Sequence, residues 1–262
     1  MTQIKNRLIV CTPGLEYFRV FELSKHNITK VSDPEKSVLQ HLALTSVLME
    51  SGFEVYDTPE LKDHPNSVFT RDVSLVTPEG YIKLRMGLES RKGEEEWMAQ
   101  QLESLGIKRV GSISGNGTVE GGDVILTRST AFVGISKRTN KEGVNQLSTI
   151  LQTMNFEVRS VEVTEPFLHL GGAISVLSTN DILCCQGIFP KDFFNGFNRI
   201  EVARDSFVSG NVISLGNYEV IAEKTNTSAI EILEHNGYKV HSTDLSEFIK
   251  GTGGPSCLIL PC

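Results

Sequence analysis

The sequence predicts an α/β protein, a five-bladed pseudo-symmetric α/β propeller built of ββαβ units, and three observations predict it. Short β-rich hairpins recur along the chain. Helical stretches closed by glycine follow them, each leading into a further short strand. The plan returns every ~45 to 55 residues, and one such unit cannot bury its apolar face alone, so about five units must stack or close around an axis. An ordinary α/β sandwich is the alternative that the pattern leaves open.

The elements justify this in chain order. Leu8-Ile9-Val10-Cys11 is a short apolar run ended by Thr12-Pro13-Gly14. The longest helical stretch, Pro34 to Glu50, stops at Gly52 before Phe53-Glu54-Val55. Asp72 to Arg85 reads as two strands around Pro78-Glu79-Gly80. Glu94 to Leu105 carries Trp97, Met98, Leu102 and Leu105 on one helical face and ends at Gly106 before Ile107 to Val110. Asp123 to Gly134 is a second hairpin, followed by a helix from Val144 to Met154 and a strand from Phe156. Ala173 to Cys185 turns at Thr179-Asn180-Asp181, and Asn211 to Ala222 turns at Gly216-Asn217. A last helix, Ala229 to His235, stops at Gly237 before Tyr238-Lys239-Val240. No linker interrupts the series, so residues 1–262 are expected to form one domain.

Bulk composition narrows the function classes. With 25 basic against 32 acidic residues the net charge is -7, and no basic block is present, which argues against a nucleic-acid partner. An acidic balance suits a cationic small substrate, and it also serves solubility. No segment approaches the ~20 apolar residues that cross a bilayer, and no signal peptide is visible, so a cytoplasmic setting without membrane attachment is expected. The five cysteines (11, 184, 185, 257, 262) are an odd number without metal-ligand spacing, in keeping with reduced thiols. A glycine-rich phosphate cradle, His-x-x-x-His or Cys-x-x-Cys metal pairs and a serine nucleophile elbow are all missing.

Four polar or glycine-rich segments stand just before hairpin strands: Asn66 to Asp72, Glu120-Gly121-Gly122-Asp123, His169-Leu170-Gly171-Gly172, and Gly253 to Cys257. In a circular repeat, equivalent strands point their ends at the same axis, so these residues would converge. Each has a plainer reading alone. Glu120 to Asp123 could be a turn, His169 between two leucines a core histidine, Asp72 a turn cap, and Cys257 an inert half-buried thiol. Arg91-Lys92 reads by itself as a charged helix entry. The shared position in the repeat is what favours chemistry.

These motifs, in this order, resemble the guanidine-modifying superfamily of five-bladed propellers, and within it the dimethylarginine dimethylaminohydrolase family. The segment Gly134-Ile135-Ser136-Lys137-Arg138-Thr139-Asn140 is the most specific match, with Glu120 to Asp123, Leu168-His169-Leu170 and the Gly-Gly-x-x-Cys ending beside it. The resemblance covers Leu8 to Leu260. It implies a cysteine hydrolase of a guanidino amino acid, N-methylated arginine before others, with no metal or organic cofactor. It assigns Cys257 as nucleophile, His169 as general acid and base, and Glu120 as a carboxylate that holds the guanidinium and helps orient the site. It places Asp72 on the guanidinium nitrogens, Phe69 against the guanidinium face, Asn66 among the substrate-binding residues, Arg91 and Arg138 on the α-carboxylate, and Leu15 in a lid.

Two departures bear on substrate. The family carries acidic residues where Asn66 and Arg71 stand, and the motif here is closer to that of arginine deiminases. Against a deiminase, Gly171 occupies the position of a second guanidinium-binding aspartate and leaves room for a substituent on the terminal nitrogen. Deimination of free arginine is therefore the second enzymatic reading, and an amidinotransferase has no marked acceptor site. A non-enzymatic ribosome-binding propeller has no use for Cys257, His169, Glu120 and Asp72 at matching positions. A homodimer is compatible with the sequence, which does not fix the oligomeric state.

Overall fold

The computed structural model describes residues 7–262 as five three-stranded sheets, each a blade of a ring. The first blade joins the two ends of the chain: β1 (Arg7–Val10) pairs parallel with β2 (Glu54–Asp57) and antiparallel with β15 (Leu260–Pro261). The second holds β3 (Ser74–Thr77), β4 (Gly80–Lys83) and β5 (Arg109–Ser112). The third holds β6 (Val124–Leu126), β7 (Thr130–Ile135) and β8 (Glu157–Glu162). Then come β9 (Ile174–Val176), β10 (Asp181–Cys185) and β11 (Asn198–Val202), and finally β12 (Val212–Gly216), β13 (Glu219–Glu223) and β14 (Lys239–Thr243). Every blade repeats one plan, an inner strand antiparallel to the central one and an outer strand parallel to it.

The propeller expected from the repeat is thus the fold observed. Helices supply the long connections that parallel strands require. Besides the short turns α1 (Leu15–Phe18) and α6 (Ser246–Ile249), four helices cross between strands: α2 (Pro34–Glu50), α3 (Glu94–Ser104), α4 (Lys141–Thr153) and α5 (Thr227–His235). Asp33 caps α2 by accepting the Lys36 N–H at 2.9 Å, with Pro34 opening the helix. α4 starts three residues before the expected Val144 because the Asn140 side chain caps it through the Gly143 N–H at 2.8 Å.

The fourth blade departs from the ββαβ plan. Residues 186–197 form turns instead of a helix and pack a cluster of phenylalanines beneath them. Phe132, fully buried, has the Phe193, Phe194 and Phe197 rings 5.2, 5.3 and 5.5 Å from its own, and the Arg159 guanidinium lies 5.9 Å from its centroid. Edge and tilted aromatic contacts stand in for the missing helix. Phe132→Ala should therefore cost about 3–5 kcal/mol. In calorimetry that is a fall in Tm of roughly 6–15 °C; a shift under about 2 °C would show that the cluster contributes little.

What positions the site is the segment before each inner strand. Short helical turns at Thr70–Asp72, Gly121–Asp123, Leu170–Gly172 and Pro255–Leu258 precede β3, β6, β9 and β15 and pack on one another near the axis. Cys257 precedes β15, so closing the ring with the C-terminus is also the step that delivers this residue to the axis.

Candidate active site

His169 stands at the centre of the converging turns. Its Nε2 is 2.8 Å from Glu120 Oε2, and its Nδ1 is 3.7 Å from Asp72 Oδ1. The other Glu120 oxygen accepts the backbone N–H groups of Gly87 and Leu88, each at 3.1 Å. Asp72 Oδ1 accepts the Gly122 N–H at 3.1 Å, while Oδ2 pairs with Arg91. Gly122 has to be glycine for this packing: a Cβ there would lie 2.6 Å from His169 Nδ1 and 2.7 Å from Asp72 Oδ1. Gly253 makes a similar allowance, since its Cβ would sit 2.1 Å from Phe69 Cε1.

Burial alone would strip the charge from His169, yet the carboxylates of Asp72, Asp123 and Glu120 outweigh it and hold the imidazolium up to about 9. Burial pushes Glu120 the other way, but the His169 hydrogen bond and charge, with Arg91 and Arg138 beyond, keep it below the ordinary carboxylate range. The pair is ionised on both sides at neutral pH. Cys257 is half-buried, with the Gly254 N–H 3.4 Å from its Sγ. Burial, and next the Asp72 charge, push its thiol up to about 12 against the pull of that N–H, Arg71 and Arg91.

One cleft gathers nearly all the residues singled out from the sequence: Asn66, Phe69, Asp72, Arg91, Glu120, Arg138, His169 and Cys257 line it. Leu15 does not. Its side chain is 62% exposed on α1, outside the cleft. The carboxylate of Glu60 fixes that segment by accepting the N–H groups of Gly14, Glu16 and Tyr17. Arg91 also differs from expectation in its engagement. Its guanidinium is spent on Glu94, Asp72 and the carbonyls of Asn66 and Phe69. Arg138 approaches only Glu120, at 3.5 Å, and among the described residues its guanidinium has no closer partner. Asn66 Oδ1 is buried in the cleft, with no hydrogen-bond donor to it among the described residues.

Four buried carboxylates (Asp72, Glu94, Glu120, Asp123) stand among the cations Arg91, Arg138 and protonated His169, with Arg71 beside the adjoining cleft. Asp72, Glu120 and His169 also offer three ligand atoms within 4.8 Å of one another. Their hydrogen bonds and arginine partners already satisfy them, so the arrangement holds together without an ion.

A second cleft adjoins the first across Cys257, His169, Leu168 and Thr252. Ile125, Gly171, Phe207 and Val208 give it an apolar wall, with Arg71 and Asn211 at its polar side. Arg71 donates from Nη2 to the Val124 carbonyl at 2.8 Å.

Comparison with known proteins places this geometry. The family model described as "N,N dimethylarginine dimethylhydrolase, eukaryotic" matches residues 22–262. The chain belongs to the dimethylarginine dimethylaminohydrolase family. It is 32% identical over 228 residues to the N(G),N(G)-dimethylarginine dimethylaminohydrolase of Pseudomonas aeruginosa, covering 87% of this chain and 89% of that protein. A crystal structure of the Pseudomonas aeruginosa enzyme, a cysteine-to-serine mutant complexed with citrulline, superposes with a TM-score of 0.85 at 29% identity over 98% of each chain. A histidine-to-glycine variant of a dimethylarginine dimethylaminohydrolase, in an adduct with S-methyl-L-thiocitrulline, matches with the same TM-score and identity over 98% of this chain and 99% of that one.

Within this dimethylarginine dimethylaminohydrolase fold, two positioning residues escaped the sequence reading. Asp123 accepts the Leu170 N–H at 2.9 Å and the Ser136 hydroxyl at 2.6 Å, tying the His169 turn to the Arg138 loop. Glu94 anchors Arg91 from a fully buried position, where burial raises its carboxyl to about 7 even beside that guanidinium. Asp123 lay in a quoted motif without a role, and Glu94 three residues after Arg91 was the available signal. No helix among the described residues is long and apolar enough to cross a membrane.

Proposed function

We propose that the protein hydrolyses N-methylated arginine, dimethylarginine first, to citrulline and the amine through a covalent intermediate on Cys257. The observation that carries this reading is one cleft in which a thiol, an imidazolium and two buried carboxylates meet beside an apolar second chamber.

The steps follow from the charges. A guanidinium is a poor electrophile because its charge is delocalised, so its plane must be fixed and its charge localised. Asp72 and Glu120 accept its N–H donors, and Phe69 covers its face. Arg138 takes the α-carboxylate, and the unpartnered Asn66 Oδ1 accepts a further substrate N–H. The bound cation stabilises the thiolate of Cys257, which attacks the guanidinium carbon to give a tetrahedral adduct. His169 passes its proton to the departing nitrogen, the C–N bond breaks, and an amidino-thioether remains. Water then attacks the same carbon, His169 takes its proton, the C–S bond breaks, and the ureido product leaves.

The second chamber supports a substituted leaving group. Gly171 keeps it open: a Cβ there would sit 3.0 Å from the Gly122 carbonyl and 3.6 Å from Ile125 Cδ1. Asn66 and Arg71, which reduce negative charge near the cleft, favour free arginine as the second reading. Citrulline release from arginine, monomethylarginine and asymmetric dimethylarginine decides between them. The methylated substrates should be turned over with the higher kcat/KM. Gly171→Val should lower kcat/KM for dimethylarginine by about tenfold or more relative to arginine, the cost of a crowded methyl pocket. Faster turnover of arginine, unaltered in its ratio by Gly171→Val, would replace the proposal with a deiminase.

A further inference from the structure

The two clefts that meet at Cys257 carry opposite charge. Asp72 and Glu120 line the first, the seat of the guanidinium. Neither an aspartate nor a glutamate lines the second, which is bounded by two cations, Arg71 and His169. The carboxylates around His169 hold its imidazolium up to about 9, so both charges stand at neutral pH. A molecule that spans the two clefts past Cys257 therefore meets a negative site at one end and a positive one at the other.

Arg71 is the cation that the mechanism leaves unused. Its Nη2 donates to the Val124 carbonyl, and among the described residues its other guanidinium nitrogens have no acceptor and it joins no ion pair. Asp72, next in the chain, has its oxygens on the Gly122 N–H and on Arg91. A partly buried guanidinium with open donors is costly unless an anion meets it. Cys257 is no lasting partner, because its thiol is neutral until substrate binds and its sulfur is bonded to carbon after attack. Ser256 adds a hydroxyl to the same chamber. Its Oγ accepts the Asn211 amide at 2.8 Å, which leaves its own hydrogen to donate. With Ile125, Phe207 and Val208 as the apolar wall, the chamber suits a short carbon chain that ends in an acid.

We propose, on the basis of the hydrolase reading, that the second chamber takes an acidic substituent on the terminal nitrogen, so that the substrates extend to Nω-(carboxyalkyl)arginines, with Arg71 selecting the acid. A methyl substituent meets the apolar wall and leaves Arg71 unanswered; a carboxylate engages it with charge-assisted hydrogen bonds. The chemistry is otherwise the same. The Cys257 thiolate bonds to the guanidinium carbon, the substituted nitrogen takes the His169 proton, and its C–N bond breaks. What leaves is an amino acid, glycine from a carboxymethyl substituent. Water then displaces the sulfur, and citrulline follows.

Citrulline release from Nω-carboxymethyl-L-arginine and from its amide, Nω-carbamoylmethyl-L-arginine, tests this, because the two differ in charge and little in shape. The acid should have the higher kcat/KM by about 10- to 100-fold, the usual worth of hydrogen bonds to a charged group. Glycine should appear with citrulline one for one. Arg71→Met should bring acid and amide close to parity. Arg71→Gln, whose amide can still donate to the Val124 carbonyl, should do the same, and Arg71→Lys should keep part of the preference. Each ratio is taken within one variant, so a loss of folded protein cancels. Equal turnover of acid and amide by a protein that hydrolyses dimethylarginine overturns this inference alone. Failure with all three substrates removes the hydrolase reading beneath it. A loss in Arg71→Met by the same factor for acid, amide and dimethylarginine would assign Arg71 to Cys257 and overturn the claim on substrate.

Discussion

Cys257→Ser is expected to abolish turnover of every guanidino substrate, by on the order of 10⁴-fold or more, with the fold unchanged. The side chain is half-buried and nearly isosteric with serine, so no cavity opens and no packing is lost. The difference is electronic. Burial and the Asp72 charge push the thiol up to about 12, and a cation bound between Asp72 and Glu120 favours its thiolate. A serine hydroxyl ionises several units higher still, and its adduct would have to expel an alkoxide where a thiolate leaves readily. Citrulline release measures the loss, and calorimetric binding of an arginine analogue checks that the cleft survives. Full turnover in this variant would mean that another group attacks the substrate.

Thiol labelling adds an independent reading of the same residue. Cys184 and Cys185 are buried and pushed up to about 12, Cys262 to about 11, and Cys11 higher still, burial being the first cause in each. These four lie outside both clefts. A cationic haloacetamidine should therefore modify Cys257 alone, and an arginine analogue should protect it. The bound cation is what separates one raised thiol from the other four.

The repeat was legible because each blade carries its own local signals. Hairpin turns, glycine-stopped helices and the polar segments before inner strands each lie within a short window. Sequence position therefore stands in for spatial position, and it groups Asp72, Glu120, His169 and Cys257. Ring closure was harder to read. β15 is only two residues long, and its pairing with β1 spans nearly the whole chain. The helix-free connection in the fourth blade rests on contacts from Phe132 to residues more than 60 positions away, which no local pattern reveals. Arg91 shows the limit within the site. Its place beside the cleft followed from the family resemblance, but its engagement with Asp72, Glu94 and two carbonyls depends on segments meeting across the axis. The apolar second chamber was equally hidden, since Phe207 and Val208 come from a loop without a distinguishing sequence.

His169→Asn should lower turnover of arginine-type substrates by about 10²- to 10⁴-fold, the usual range for a lost general acid and base, and should change the pH profile as well. The carboxylates around His169 raise it to about 9, so the imidazolium is present throughout the neutral range. Its proton is the one that the leaving amine needs. As pH rises through about 9 that proton is lost from the free enzyme, and kcat/KM should fall on the alkaline side; the residual activity of His169→Asn should lack this limb. The choice of leaving group separates the two roles of the residue. An S-alkyl thiocitrulline expels a thiolate, which departs without protonation, so Cys257 should still form the amidino-thioether in the variant. Hydrolysis of that adduct needs His169 as a base toward water, and it should stall. Intact-mass measurement would then show the covalent species accumulating on Cys257. Equal loss with amine and thiolate leaving groups, and no adduct, would confine His169 to a structural part in the Glu120 pair.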